Sequence, residues 1–385
     1  MQYRRFGKLD FTPSALGFGA MRLPILEGPD GRPDHSRIDY PAATAMLHRA
    51  IDGGVNYVDT AWMYHGDQCE AWVAAALQGG YREKVKIATK MPVWHVESAG
   101  DFDRILETQL ERLQSESVDF YLLHSLDESN WRTVLEQGQL ASAERALADG
   151  RIAHLGFSFH GRYDLFAEIL AATDLWEFCQ IQLNYMDEDF QAGRRGLELA
   201  AARGLGVIIM EPVRGGALAR NMPPQVMAAW DAAPVRRSPA EWALQWVWSI
   251  PEVSFLLSGM STMQQVEENL TYASRSRPGL LSAGELAAVA RVRDLYRELS
   301  PISCTACRYC MPCPQGVAIP EILQLRNDTQ IYGDVVYQRM LYGFLRESER
   351  ADHCTACREC EEKCPQEIAV SGWMEEIQTL LGSGR

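Results

Sequence analysis

The sequence predicts an α/β protein, a (β/α)8 TIM barrel followed by a small helical domain. Three observations carry that expectation. Short apolar runs alternate with longer amphipathic stretches from Ala15 to about Ser274. Eight of the ten cysteines fall in two tight runs beyond Pro278. No G-x-G-x-x-G follows the first apolar run, which argues against a doubly wound open sheet as the alternative architecture.

The predicted strands are Leu16–Met21, Tyr57–Asp59, Val85–Lys90, Val118–Leu123, Ile152–Phe157, Cys179–Leu183, Val207–Met210 and Val253–Leu257. Between them, Ala42–Gly53, Asp101–Leu113, Trp131–Asp149, Gln191–Arg203 and Thr262–Ala273 have the apolar spacing of helices. Gly54, Gly150 and Gly204 stand where helix gives way to strand, the place at which a left-handed C-cap favours glycine. Eight such units suit a barrel over residues 1–278. Ser282–Leu299 reads as a helix connecting the domains through 279–300, with Ser282 and Glu285 spaced as a capping box. Residues 301–385 form the appendage, and its Ile319–Glu349 spacer is rich in helix formers.

The cysteines of that appendage read Cys304-Cys307-Cys310-Cys313 before Pro314, and Cys354-Cys357-Cys360-Cys364 before Pro365. A C-x2-C-x2-C-x3-C-P run is the bacterial ferredoxin arrangement, in which three closely spaced thiolates hold one cubane and the fourth crosses to the other. Two runs therefore imply a helical ferredoxin-like domain with two [4Fe-4S] clusters. Cluster 1 takes Cys304, Cys307, Cys310 and Cys364; cluster 2 takes Cys354, Cys357, Cys360 and Cys313. The first run is one residue short before Cys313. Zinc ribbons use two separated C-x2-C pairs, and disulfide frameworks belong to small secreted chains, so neither fits as well. Cys69 and Cys179 stand apart and read as small buried apolar residues.

With 51 acidic against 37 basic residues, the net charge of −14 excludes nucleic acid and anionic membrane as main partners. No apolar run approaches membrane-spanning length. Thiolate-held clusters and the lack of a signal-like segment at Met1–Gly17 place the chain in a reducing cytoplasm.

In such a barrel, chemistry gathers at the C-terminal ends of the strands. Asp59, Lys90 and His124 end three successive strands, and Tyr64 follows Asp59 by five residues. Together they form a proton donor for a carbonyl. A free phenol has a pKa of about 10, too high for efficient transfer near neutrality. A lysine beside it favours the phenolate, an aspartate keeps that lysine charged, and a neutral histidine directs the carbonyl oxygen. A single Lys or Asp at a strand end is more often a solvated or ion-paired structural group; four converging on one face favour function.

These residues also carry a family resemblance. DTAWMYHG, ATK, LLH, GFSFH, QLNY and GMSTMQQVEENL resemble the aldo-keto reductases over Met1 to about Ala273, specifically the subgroup with a C-terminal 4Fe-4S domain. The resemblance implies that Asp59, Tyr64, Lys90 and His124 are the catalytic tetrad. It places Ser158, His160, Gln182 and Asn184 near a nicotinamide carboxamide. Gly215, Gly216 and Leu218 would form the pyrophosphate loop, and Met260, Ser261, Gln265, Glu268 and Asn269 would lie near the adenosine. Where many relatives stack a tyrosine, this chain has Met210, followed by Glu211, whose charge would need Arg214 as its partner. Relatives that select the 2′-phosphate often carry arginine at the position of Gln265, so NAD(H) is favoured over NADP(H).

The expected activity is reduction of an aldehyde or ketone by hydride transfer, or the reverse oxidation of an alcohol. Trp62, Trp94 and His95 are candidate pocket residues, or plain packing. Two alternatives stay open. The clusters deliver electrons to substrate or exchange them with an external partner, with weak nicotinamide use. Or the barrel is a redox-sensing interaction module.

Overall fold

Eight strands pair side by side, all parallel, and close on themselves. The described residues hold ten strands, of which all but β2 and β3 form the barrel: β1 (Leu16–Gly19), β2 (Ile25–Glu27), β3 (Pro33–Ile38), β4 (Tyr57–Asp59) and β5 (Lys86–Met91) come first. β6 (Val118–Leu126), β7 (Ile152–Phe159), β8 (Phe178–Gln182), β9 (Gly206–Met210) and β10 (Phe255–Ser258) follow. The barrel order is β1-β10-β9-β8-β7-β6-β5-β4. The computed structural model describes residues 1–29, 33–304, 310–364 and 366–382. They form two compact units: residues 1–215 with 240–282, and residues 216–239 with 283–385.

The barrel strands read as near-continuous apolar runs because helices cover one face and the barrel interior the other. One end of the barrel is plugged by rings. Phe6 lies 5.5 Å from Phe120, 5.6 Å from Phe178 and 5.3 Å from Phe255, and Tyr57 packs against Phe120 and Phe255 at the same floor. Gly206 is required there, since a Cβ on it would sit 2.1 Å from the Phe6 ring.

Three elements depart from the sequence expectation. The stretch expected as one helix over Trp131–Asp149 is two, Glu128–Glu136 and Gln139–Ala148, broken where Gly138 turns left-handed at φ 61°. β6 runs on past Leu123 through a register shift, with Ser125 at φ 57°. β2 and β3 form an antiparallel hairpin outside the barrel that the polar sequence PDHSRI did not announce.

In the second unit, the helix Ala283–Glu298 packs with Pro224–Asp231. Glu285, expected in a capping box, is ion-paired with Arg237. The spacer between the cysteine runs folds as Ile319–Tyr332 and Val335–Phe344. Ile322, Leu323, Met374 and Ile377 lie at the centre of its apolar core. Among the described residues no helix is long and apolar enough to cross a membrane.

Candidate active site and cysteine cluster

β4, β5 and β6 bring three polar side chains to one end of the barrel, as the parallel register of Asp59 with Ala88 and Lys90 with Leu122 requires. Lys90 is fully buried, and its Nζ donates to Asp59 Oδ2 at 2.7 Å, to the Thr60 carbonyl at 2.8 Å and to Tyr64 Oη at 3.2 Å. Burial alone would push the ammonium down, but Asp59 and Tyr64 outweigh it and Lys90 ends above its ordinary value. Tyr64 is a correction. Lys90 pulls its phenol down as expected, yet burial is the larger effect and the pKa ends above the ordinary value. The phenol therefore holds its proton at neutral pH. His124 is driven well below the imidazole range by burial and by Lys90, so it is neutral. Its Nδ1 makes no hydrogen bond, and its ring lies 6.2 Å from that of Tyr64.

A buried polar network that sequence reasoning missed backs this group. Gln109 donates to the Lys90 carbonyl at 3.0 Å and to Glu70 Oε1 at 2.6 Å, and accepts from Tyr121 Oη at 2.7 Å. Thr89 donates to Glu70 at 2.5 Å, and Arg112 pairs with it at 3.2 Å. Burial pushes the Glu70 carboxyl up, against the pull of its three donors Thr89, Gln109 and Arg112. Each buried acceptor is thus satisfied, which holds β5 at Lys90 rigidly. The spacing of Glu70 and Gln109 in sequence carries no signal for this.

The pocket candidates separate. Trp94 is 42% exposed and its ring lies 5.1 Å from His124. His95 lies 6.2 Å from Trp62 and 6.0 Å from Trp94. Trp62 is held by the Arg112 guanidinium 4.0 Å from its ring centre.

Around the rest of the mouth, the residues expected to grip a cofactor are largely engaged with each other. Ser158 Oγ accepts from the Ser125 N–H at 2.7 Å. Gln182 and Asn184 both donate to Asp187, at 3.2 and 3.0 Å. His160 Nδ1 lies 3.3 Å from Gln191 Nε2. Arg214, expected opposite Glu211, is ion-paired to Asp187 at 3.1 Å. Burial pushes the Glu211 carboxyl up, with Arg22 the strongest opposing charge. Gln180, which sequence analysis passed over for Gln182, is buried with an unpartnered Oε1, and its Nε2 faces Met210 Sδ at 3.7 Å. The period-two face shared by Gln180 and Gln182 was the available signal.

Ser261 donates to the Arg22 carbonyl at 2.8 Å, and its N–H donates to Gln265 Oε1 at 2.7 Å. Glu268 accepts from Gln264 at 2.7 Å, Asn269 donates to Ser258 Oγ at 3.0 Å, and Met260 is buried. The helix Met263–Ser274 is capped by Thr262, leaving N-terminal amides suited to an anion. Gly215 is left-handed at φ 61°. Gly216, at φ 92°, and buried Leu218 belong to the second unit. The Gln180 amide, with its orphaned oxygen as acceptor and its Nε2 as donor, suits a carboxamide and fits a nicotinamide dinucleotide at the barrel mouth.

In the second unit, Cys304, Cys310, Cys313, Cys354, Cys360 and Cys364 pack against one apolar core. Cys357 is exposed, and Cys307 lies outside the described residues, as does Pro365. Burial pushes the Cys360 thiol up to about 11, and Cys354 and Cys313 act on it electrostatically. Ala356, Arg358 and Glu367 are all left-handed, at φ 54°, 62° and 52°. Such strain persists only where the surroundings over-determine the backbone. Among the described residues no three ligating side chains close to metal-binding distance. As a donor set, soft thiols on an apolar wall suit iron–sulfur clusters.

Comparison with known proteins agrees with this division. The sequence model described as "Aldo/keto reductase family" matches residues 15–278, and that described as "4Fe-4S dicluster domain" matches residues 303–369. The chain is 24% identical over 296 residues to L-galactose dehydrogenase of Arabidopsis thaliana, covering 70% of this chain and 87% of that protein. Among solved structures, an aldo-keto reductase of Bacillus halodurans in its holo form superposes with a TM-score of 0.62 at 24% identity, over 76% of this chain and 96% of that one. An aldo-keto reductase of Klebsiella pneumoniae in complex with NADPH gives 0.59 at 23% identity, over 76% and 95%. The chain belongs to the aldo/keto reductase family and carries a 4Fe-4S dicluster domain that follows the barrel in sequence.

Proposed function

We propose that this oxidoreductase reduces an aldehyde or ketone, or oxidises the corresponding alcohol, with Tyr64 as general acid or base. One observation carries the reading: the buried Lys90 Nζ bridges the Asp59 carboxylate and the Tyr64 hydroxyl. A bound nicotinamide dinucleotide supplies or accepts the hydride. His124, neutral and aimed at Tyr64, donates to the substrate oxygen and fixes its direction. As negative charge develops there, Tyr64 gives up its proton. The resulting phenolate is stabilised by the charged Lys90, which Asp59 keeps protonated. Burial raises the resting Tyr64 pKa, so the phenol is loaded for reduction, and the lysine acts mainly in the transition state.

Gln180, Ser158 and Asn184 would hold the carboxamide, with Asn184 released from Asp187. Met210 would lie on the nicotinamide face. Gln265 at the adenosine end offers no cation for a 2′-phosphate, which favours NAD(H). The two clusters would be held by Cys304, Cys307, Cys310 and Cys364, and by Cys354, Cys357, Cys360 and Cys313, in a chain working in a reducing cytoplasm. A second reading is favoured by the dicluster domain and by the exposure of Cys357: the clusters exchange electrons with an external carrier. The deciding experiment uses anaerobically purified protein, NADH then NADPH, and a carbonyl panel, following nicotinamide and cluster absorbance together. Nicotinamide oxidation only with carbonyl, without bleaching, supports the reductase. Bleaching by nicotinamide alone supports the second reading. No carbonyl-dependent turnover removes the first.

A further inference from the structure

We infer that His65 is a positioning residue for Tyr64, whose buried imidazole holds the Tyr64 loop between the barrel rim and the β2–β3 hairpin. The inference rests on the proposed role of Tyr64 and adds a proton-dependent hold on it. His65 is 7% exposed and used by no step of the chemistry above. Its Nδ1 lies 2.9 Å from the His35 carbonyl oxygen on β3, and its Nε2 lies 3.1 Å from the Ala20 carbonyl oxygen just past β1. Both partners are acceptors only. A neutral imidazole has one N–H, so one of these contacts sets a lone pair against a lone pair; the imidazolium donates to both.

The loop needs an external hold. His65, Gly66 and Asp67 are consecutively left-handed, at φ 53°, 60° and 65°, a conformation that two of the three residues disfavour. Its own backbone bonds are long: Gln68 N–H to the His65 carbonyl at 3.4 Å and Cys69 N–H to the Tyr64 carbonyl at 3.3 Å. The hairpin presses close, since a Cβ on Gly66 would meet Ser36 Cβ at 3.0 Å. The His65 ring is therefore the anchor of the segment that delivers Tyr64.

The neutral ring has a preferred tautomer. Cys69 Sγ also donates to the Ala20 carbonyl, at 3.5 Å, so that oxygen keeps a partner without His65, and the single proton goes to Nδ1. Taking up a second proton would add the rim bond only at the larger cost of a charge withdrawn from water. Around the ring, β3 contributes His35, the helix Cys69–Ala76 contributes the neutral Cys69 thiol, and the loop itself contributes Asp67, which pairs with Arg112 at 3.9 Å. Burial outweighs the pull of the two carbonyls and holds His65 below the ordinary imidazole value, so the packed ring refuses a second proton that an exposed one accepts, and acid favours release of the loop.

The test uses full-length, cluster-intact protein, wild type beside His65→Asn and His65→Gln, which keep a donor toward His35 or Ala20 without titrating. Ring-nitrogen NMR follows the His65 proton from pH 8 to 5, and hydrogen exchange of amides 61–69, corrected for its intrinsic pH dependence, follows the loop. In the wild type, exchange quickens as His65 takes up its second proton, and the dependence is absent in both variants. With a carbonyl substrate, kcat changes by about tenfold across the same window in the wild type only, the size expected for small misplacement of a catalytic group. Exchange that ignores the His65 titration, or that shifts equally in all three proteins, overturns the clip. Absence of carbonyl turnover with the exchange switch intact leaves the clip standing and removes the reductase reading instead.

Discussion

The barrel mouth and the cysteine-rich unit both concentrate reactive side chains, but they hold them by opposite means. At the mouth, Lys90 and Asp59 are almost wholly withdrawn from solvent and locked by direct hydrogen bonds at 2.7–3.2 Å. In the second unit the described cysteines are half-buried or exposed, and six of them lie against one apolar core. The first arrangement is made by the fold alone, because a buried charge must find its partner within the protein. The second is set by the spacing of soft donors along short loops, and its geometry belongs to the group those donors hold.

Breaking the mouth chemically should give the largest effect. Tyr64→Phe lowers carbonyl turnover by about 10²–10⁴-fold, the usual contribution of a positioned acid, while dinucleotide affinity measured by fluorescence titration stays unchanged. Preserved turnover would remove the tyrosine from the mechanism. Lys90→Met leaves the buried Asp59 carboxylate alone and destabilises the barrel by about 3–5 kcal/mol in urea unfolding, whereas Lys90→Met with Asp59→Leu recovers much of that loss.

The cysteine side breaks differently. Cys360→Ser removes roughly half of the bound iron, as expected if each of two clusters relies on its own three-cysteine run. Iron and labile sulfide assays measure it, and the Tyr64-dependent chemistry persists if the clusters are spectators. The smallest effect sharpens the electrostatic contrast. Burial and Lys90 hold His124 below the ordinary imidazole value, so below that value the unfolded chain binds a proton the folded chain refuses, and stability falls as pH drops. The slope from this group is at most ~1.4 kcal/mol per pH unit. Midpoints of urea unfolding at pH 7 and 5 should therefore differ less in His124→Gln than in the wild type.

How far the sequence reached follows the same divide. Apolar runs located all eight barrel strands, since a parallel sheet buried on both faces leaves no room for polar interruption. The β2–β3 hairpin was invisible because PDHSRI has no apolar alternation to mark it as a strand. Asp59, Lys90 and His124 were legible as polar residues ending apolar strands. His65 and Gln109 were not: a histidine between Tyr64 and a glycine, or a glutamine inside the helix Asp101–Leu113, looks like any solvated side chain until its burial is known.

By itself, then, the sequence determined the alternation that makes a barrel, the polar strand ends that make its mouth and the thiol spacing of the appendage, because each is written in local period and residue type. Tertiary structure alone decided that Tyr64 rests above its ordinary pKa, that Asp187 gathers Arg214, Gln182 and Asn184, and that His65 faces two carbonyl oxygens. These outcomes depend on desolvation and on partners far apart in the chain, and neither is encoded in any short stretch of residues.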